Sequence, residues 1–543
     1  MKGSKPGASC LRPVPSSPSH QRCHGRLPLP ESIFYWVAGV GSIIYTFYVV
    51  HQESQKFFID LSKEDFVDGW NFLPYKKDIS NFEWNFWSSY FWEILPWGIG
   101  HVVIARTVDT YFFHLRKPVF LTYSLVSVSY LLGYRTVLFF ISHGCICYLA
   151  SSVGSFVLVW VVTLLLLSTL NYEAFAPLMQ QLCGIPKTRE GYYLFIFVLA
   201  LVILRYASFS LERSRYIAAK GDNSVSKEKT TDNDDFSVAD LLLYMFYLPL
   251  FFTGPLITYD KFKLQMNSPP AAWTRDRIIT SIKGFIRVFF WAFFLELSHH
   301  YLYYTGLLHN ITAVQEMSLW ALVGIGYTVG QYFMVKYLVL YDLPGQVARL
   351  DDLDPPLGPK CISYIYRYSD MWKFFDRGLY TFLRNYIYIP LGGSQAGMLM
   401  RLLASMMCFL FIYFWHGEEY YLLLWSIANY IGCSLELLVG QLEYTTFVTN
   451  IKARYLSPAM VRRLHCVLVV PLFLMSCFAV FYFFGGLAFG DVFLQRLVTQ
   501  VKQVAQGGGR VSLHVDCSRE TDSSSRMTTK SRCHIRRRPS VQA

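Results

Sequence analysis

Apolar residues fall in long runs along this chain, separated by short polar breaks. The clearest runs occupy about 31–51, 87–105, 118–134, 136–150, 155–171, 191–208, 239–257, 279–298, 317–341, 397–415, 420–438 and 465–489. A helix needs ~20 residues to cross a ~30 Å hydrocarbon layer, and many of these runs approach that length. The alternating segments of a membrane strand barrel are absent. The pattern predicts an all-α polytopic membrane protein of about ten crossings with re-entrant segments. The run through Pro249, Gly254 and Pro255 is broken as a re-entrant or tilted segment would be.

Two stretches depart from the pattern. Residues 209–237 are polar and mixed in charge, which predicts a loop between two bundles. Residues 342–396 are long and yet rich in aromatics, among them Tyr364, Tyr366, Trp372, Phe374, Phe375, Tyr380 and Phe382. A solvated linker would not hold so many rings. Irregular backbone at membrane depth needs protein or a cavity to shelter it, so this segment is expected folded onto or into the membrane face.

Composition agrees. Of 543 residues, 53% are hydrophobic, 17% aromatic and only 16% charged, against ~25% charged in soluble domains. An ordinary cytosolic enzyme, a disordered chain and a disulfide-stapled mini-domain are excluded. The formal net charge of +12 would suggest nucleic acid until it is located. Residues 1–30 carry five basic residues and no acid, and 496–543 carry ten basic and three acidic residues. The body between them is formally neutral. Both ends are therefore basic and flank an apolar core, which is unlike a nucleic-acid surface.

Residues 1–30 are rich in Pro and lack the apolar stretch of a signal peptide. The run 31–51 then acts as an uncleaved anchor. Five basic residues precede it, and loop 52–86 has four basic and seven acidic residues. The positive-inside rule places the N-terminus in the cytosol and that loop in the lumen; Arg106, Arg116 and Lys117 then fall on the cytosolic side. The sequon Asn310-Ile311-Thr312 lies so close to two spans that it is expected to stay unused. The twelve cysteines form no CxxC pair. Those in apolar runs are expected to pack as small hydrophobes.

Ionisable groups at membrane depth are costly and usually functional. His416 ends an apolar run in Phe414-Trp415-His416-Gly417. An imidazole there could accept a proton near neutral pH, or it could be an interfacial histidine bonded to a carbonyl. Asp376 lies 40 residues earlier in the aromatic segment. A carboxylate among rings needs a partner, either a salt bridge to Arg377 or Arg384 or a place beside His416 in a cavity. A third candidate is Arg384-Asn385-Tyr386-Ile387-Tyr388 with Gly392-Gly393, whose Arg and Tyr could hold a headgroup or phosphate. His299 and His300 are read as headgroup-level residues. No nucleophile elbow, Walker sequence, kinase set or HExxH is present.

At Asp376 and His416 a resemblance enters. Phe82-Glu83-Trp84-Asn85-Phe86-Trp87, Phe209-Ser210-Leu211-Glu212, Val335-Lys336-Tyr337-Leu338-Val339-Leu340, Met371-Trp372, Phe375-Asp376, Tyr386-Ile387-Tyr388-Ile389-Pro390, Gly392-Gly393-Ser394-Gln395 and Trp415-His416-Gly417 occur in this order. Together they resemble the membrane-bound O-acyltransferase superfamily. Within it they resemble the branch that palmitoylates the N-terminal cysteine of secreted hedgehog-type proteins. Most members have Asn where this chain has Asp376, while that branch uses Asp. A sister branch that lacks the histidine is regarded as inactive, and this chain keeps His416.

The resemblance implies a helical bundle around a through-membrane reaction cavity in the endoplasmic reticulum membrane, with the Golgi as the alternative. It implies palmitoyl-CoA as acyl donor, a secreted protein with an N-terminal cysteine as acceptor, and the bilayer as setting. His416 and Asp376 would be catalytic, and Trp372, Arg384 and Tyr388 would bind the acyl-CoA. It also implies a haem b on an axial thiolate, Cys361 in Pro359-Lys360-Cys361-Ile362-Ser363. The other readings are a lysophospholipid or serine-hydroxyl acyltransferase of the same superfamily, and a membrane scaffold without chemistry. The acyltransferase core is expected over 31–490, after a disordered basic extension (1–30). A polar basic tail, 491–543, expected to be disordered, stands where the family has a further apolar span.

Overall fold

The computed structural model of the protein describes residues 27–221 and 236–505. The basic extension up to residue 26, the middle of the polar loop at 222–235 and the tail from 506 lie outside the described residues. The chain divides into two units, Met1–Arg496 and Leu497–Ala543. Of the second, the described residues are the end of the last helix.

The apolar runs become helix, except that the run 239–257 ends in irregular backbone after Phe251. Helix α1 is Leu29–Lys56, α2 Phe82–Tyr111, α3 Arg116–Leu132, α4 Tyr134–Ser151, α5 Phe156–Asn171, α6 Ala176–Cys183 and α7 Arg189–Gly221. After the polar loop come α8 Val238–Phe246, α9 Leu248–Phe251, α10 Tyr259–Met266 and α11 Arg275–Tyr301. The short α12 (Tyr304–His309) and α13 (Ile311–Glu316) lead into α14, Leu319–Leu350. The aromatic segment holds α15 (Tyr368–Phe375) and α16 (Arg377–Leu383). Then follow α17 Met398–His416, α18 Tyr420–Glu443, α19 Thr446–Tyr455 and α20 Pro458–Ala505, the last broken at Gly486. A two-residue ribbon, β1 (Phe66–Val67) antiparallel to β2 (Lys77–Asp78), is the one sheet among the described residues.

Six helices, α1, α7, α11, α17, α18 and α20, are long and apolar enough to cross a membrane. The bent pair α5 and α6 would make a seventh. Helices such as α3, α4 and α14 supply the remaining apolar runs, but they are shorter or carry charge within them.

Two helices organise the interior. The apolar face of α7 is buried almost without interruption from Leu194 to Leu211, against α4, α5, α8 and α10. Helix α14 is buried along most of its length, packed against α11 and α1. One apolar core surrounds α7 and takes in Phe382, Tyr386, Phe409 and Phe411. The other surrounds the first half of α14 and takes in Phe481, Phe489 and Phe493 of α20.

Three findings change the sequence picture. The polar loop was expected from 209, yet α7 continues to Gly221, with Phe209, Ser210, Leu211 and Ser214 buried. Its charges are taken up by neighbouring helices: Arg213 lies 3.9 Å from the Tyr148 ring and bonds Ser151 Oγ, and Arg215 donates to the Asn385 carbonyl at 2.8 Å. The tail expected from 491 is helical through Ala505, with Phe493 buried. His299 and His300 are buried inside protein. His299 Nδ1 meets the Leu295 carbonyl and its Nε2 the Tyr304 hydroxyl. His300 sits 4.6 Å from the Trp70 ring.

The broken run 239–257 stays inside the protein by an arginine. Arg205 of α7 is 3% exposed and donates to the carbonyls of Met245, Leu250 and Phe251. The guanidinium thereby holds carbonyls at the ends of both short helices, α8 and α9.

The sequon asparagine is occupied. Asn310 Nδ2 donates to the Asp60 carbonyl at 2.9 Å, and its Oδ1 accepts the Ala313 N–H as the cap of α13.

The loop joining α1 and α2 carries a titratable lock. Asp78 of β2 is 1% exposed and accepts from Ser80 N, Ser80 Oγ and Gly306 N. Burial pushes its carboxyl from 3.8 up to about 6. A raised folded-state value means that the folded protein holds the proton more tightly than the unfolded chain. The contribution to stability is complete below about pH 4 and is lost as pH rises through about 6. The melting point in detergent should fall between pH 4.5 and 7.5 by more in the parent than in Asp78→Asn. Equal pH slopes in the two proteins would remove Asp78 as the cause.

Candidate functional site

The site starts from the junction of α15 and α16. Asp376 ends the first helix in an extended conformation and caps the second: its Oδ1 accepts the Leu379 N–H at 2.8 Å. Gly378 follows because α16 packs directly on the irregular backbone at Leu256, where a Cβ would collide. The other oxygen, Oδ2, accepts the Tyr341 hydroxyl of α14 at 2.9 Å. The expected salt bridge to Arg377 or Arg384 is not formed; a helix cap and a tyrosine satisfy the carboxylate instead.

His416 ends α17. Gly417 follows at φ 122°, a conformation that favours glycine, and stops the helix there. Trp415 turns into the bundle and donates Nε1–H to the Ala200 carbonyl of α7 at 3.1 Å, and Asn171 of α5 holds the Phe414 carbonyl at 2.7 Å. These bonds fix the end of α17 and leave His416 facing the other way. Three rings flank the imidazole edge-on, Trp415 at 4.8 Å, Trp425 at 5.4 Å and Phe483 at 5.7 Å. Among the described residues no protein group bonds either ring nitrogen, so the interfacial histidine tied to a carbonyl is not what the structure contains. His416 is exposed at the end of α17.

Aromatic rings connect the two residues. One line runs from His416 to Trp425 and on to Trp372 at 5.6 Å, four residues before Asp376. Trp372 also donates to Asn429 Oδ1 at 3.1 Å and meets Phe409 at 5.0 Å. A second line runs from His416 through Phe483 and Phe484 to Phe333, then to Tyr337 and Tyr341 on α14. Tyr341 is the residue bonded to Asp376.

Arg384 and Tyr388 bound a π-turn, Arg384–Tyr388, a rare widening that recurs at functional sites. Arg384 is exposed and Tyr388 half-buried. The inner residue Tyr386 anchors the turn: its hydroxyl meets Ser208 at 2.9 Å, and its carbonyl accepts Trp160 Nε1–H at 3.3 Å. Cys361 lies apart. It is exposed and lines a pocket of about 680 Å³ with Trp36, Phe47, Trp291, Phe294 and Tyr327. No cluster of three or more His, Cys, Asp or Glu side chains suited to a metal ion occurs among the described residues.

Four residues that the sequence reading left without a role adjoin this region. Glu83 and Lys336 form an ion pair between α2 and α14, and Tyr337 and Tyr341 lie beside it. The signal was present, because a lysine at 336 inside the apolar run 317–341 is a charge at membrane depth.

The sequence profile of the membrane-bound O-acyltransferase family matches residues 145–480, from α4 to the end of the first part of α20. Protein-cysteine N-palmitoyltransferase HHAT of Mus musculus is 32% identical over 87% of this chain and 94% of its own length. Protein-cysteine N-palmitoyltransferase Rasp of Drosophila melanogaster is 27% identical over 80% of this chain and 83% of its own. A mouse HHAT-like protein is 29% identical over 74% of this chain and 76% of its own. The helical architecture, the Trp-His-Gly end of α17 and these matches across most of the chain agree: this multi-pass membrane protein belongs to the membrane-bound O-acyltransferase family.

Proposed function

We propose that this chain transfers a palmitoyl group from palmitoyl-CoA to the N-terminal cysteine amine of a secreted hedgehog-type protein. The observation that carries the reading is His416, an accessible imidazole with both nitrogens unclaimed, joined to Asp376 by a wall of shared rings. The amine nitrogen attacks the thioester carbonyl, the amide C–N bond forms, the C–S bond breaks and CoA leaves as its thiol. His416 takes the proton from the attacking amine and supplies one to the departing sulfur. Asp376, held at both oxygens, orients the reactants.

Acyl-CoA enters from the cytosolic face, with its acyl chain against Trp372 and its head near Arg384 and Tyr388. Lys360, Lys373 and Arg377 lie 3.7, 5.2 and 5.8 Å from the Phe374 ring and add positive charge on the same segment. The acceptor arrives from the lumen of the endoplasmic reticulum. The exposed Cys361 thiol and its aromatic pocket suit a haem b with one thiolate ligand. Bound there, the haem would supply bracing between α1, α11 and α14, and Cys361 would hold it.

Purified full-length protein with labelled palmitoyl-CoA tests the reading. A peptide beginning in cysteine should become palmitoylated, and the same peptide with an acetylated N-terminus should not. Transfer to lysophospholipid alone would replace this function by lipid acylation. Transfer to neither acceptor would leave a scaffold.

A further inference from the structure

One buried ion pair takes no part in the chemistry above. Lys336, on α14, has a side chain 7% exposed and pairs with Glu83 near the start of α2. A pair buried to this extent is costly and adds little net stability, so its geometry is informative. Glu83 Oε2 takes the lysine, and Oε1 accepts the Tyr337 hydroxyl at 2.9 Å and the Tyr193 hydroxyl at 3.2 Å. Tyr193 in turn accepts Trp87 Nε1–H at 3.0 Å. Both carboxylate oxygens are filled, so Glu83 is not poised for a further cation.

What it does hold is Tyr337. That ring meets Tyr341 edge-on at 5.3 Å and lies 6.3 Å from Phe375, the neighbour of Asp376. Phe375 is also stacked on Phe333 at 5.6 Å. Tyr341 has one hydroxyl proton, and it goes to Asp376 Oδ2. With the Leu379 N–H on Oδ1, the carboxylate is held by one donor from α16 and one from α14.

We propose that Tyr341 is the positioning residue of Asp376, and that the Glu83–Lys336 pair sets Tyr341 through Tyr337. The inference rests on the catalytic reading of Asp376 given above. A cap alone would leave Oδ2 free to rotate with the side chain. The tyrosine fixes the second oxygen, and the ion pair two residue positions further along the network fixes the tyrosine wall. The cost of a buried pair is offset where the ring geometry matters, beside the reacting groups.

The test uses the full-length enzyme, palmitoyl-CoA and a peptide beginning in cysteine. A hydrogen bond to a charged group is lost in Tyr341→Phe, so kcat should fall about 10- to 100-fold, while KM for palmitoyl-CoA stays within about twofold. Tyr337→Phe should lower kcat in the same direction by less. In the Asp376→Asn background, adding Tyr341→Phe should cost less than it does in the parent, because both changes act on one interaction. Parental kcat in Tyr341→Phe, or the same fold-loss in both backgrounds, overturns the proposal. Should Tyr341→Phe not fold, Tyr337→Phe decides: parental kcat in it overturns the coupling. Full activity in both Asp376→Asn and His416→Ala would instead remove the catalytic reading itself, a different failure.

Discussion

His416→Ala should lose turnover by about 10²- to 10⁴-fold, the usual worth of a positioned acid–base group, while expression, membrane insertion and melting point stay near those of the parent. The second half of the expectation comes from the structure. Among the described residues the imidazole makes no hydrogen bond to protein, and of its ring neighbours Trp425 and Phe483 remain packed on one another at 4.7 Å while Trp415 is held by its bond to the Ala200 carbonyl. Removing it opens space beside Trp425 and Phe483 without orphaning a buried donor or acceptor, so the stability cost is confined to lost contact. A variant with parental palmitoylation would end the assignment. A variant that is inactive because it no longer folds would contradict the packing just described. Asp376→Ala should behave differently: it strips the cap from α16 and leaves Tyr341 unpaired, and caps alone are worth about 0.5–2 kcal/mol, so both activity and melting point should drop.

The largest effect on stability is expected at Arg116. This residue is 2% exposed at the start of α3. It pairs with Asp109 at 3.2 Å and donates to the backbone carbonyls of Met266, Ser268 and Asp351. Asp351, fully buried after α14, accepts from His101 at 2.7 Å and from the Tyr247 hydroxyl at 2.5 Å, and Arg106 lies 3.6 Å away. One guanidinium thus ties together α2, α3, the end of α10 and the end of α14. Arg116→Met would leave Asp109 with Arg106 alone, at 2.8 Å, and three carbonyls without a donor. Removing one partner of a buried ion pair costs about 3–5 kcal/mol, a large part of the ~5–15 kcal/mol that holds a typical fold. Yield in detergent and melting point should both fall sharply, including for variants assayed without substrate. A melting point unchanged from the parent would show that the network is not structural.

The positions of the helices were legible because hydrophobic runs are local. Every predicted run holds helix, though 239–257 ends in irregular backbone, and the aromatic segment 342–396 forms α15, α16 and the turn after them, with Phe382 and Tyr386 buried and Tyr364 and Tyr366 exposed. Partners were not legible, because they are set by approach across the chain. His101 meets Asp351 over 250 positions, and Lys336 meets Glu83 over 253. Charge counting could place Arg106, Arg116 and Lys117 on one side of the membrane but not name their partners: Arg116 is an internal fastener and Lys117 pairs with Asp240 at 3.1 Å. The carboxylate at 376 was expected to find either an arginine or a place beside His416; the cap it forms cannot be seen until the extended residue before α16 is placed. The resemblance singled out His416 and Asp376 by their order in the chain. It gave no hint that Tyr341 stands between Asp376 and the rest of the bundle.

The arginine buried in α7 sets a schedule. Arg205 takes its three carbonyls from a segment that ends 45 or 46 residues later in the chain. When α7 leaves the ribosome those carbonyls do not yet exist. At 5–20 residues per second they follow after roughly 2–9 s. During that interval a guanidinium near the middle of an otherwise apolar helix is disfavoured in lipid by about 2.5–3.5 kcal/mol on the insertion scale. That charge gains its carbonyl partners only once α8 and α9 have been made, so the packing around α7 is completed by a later segment of the chain.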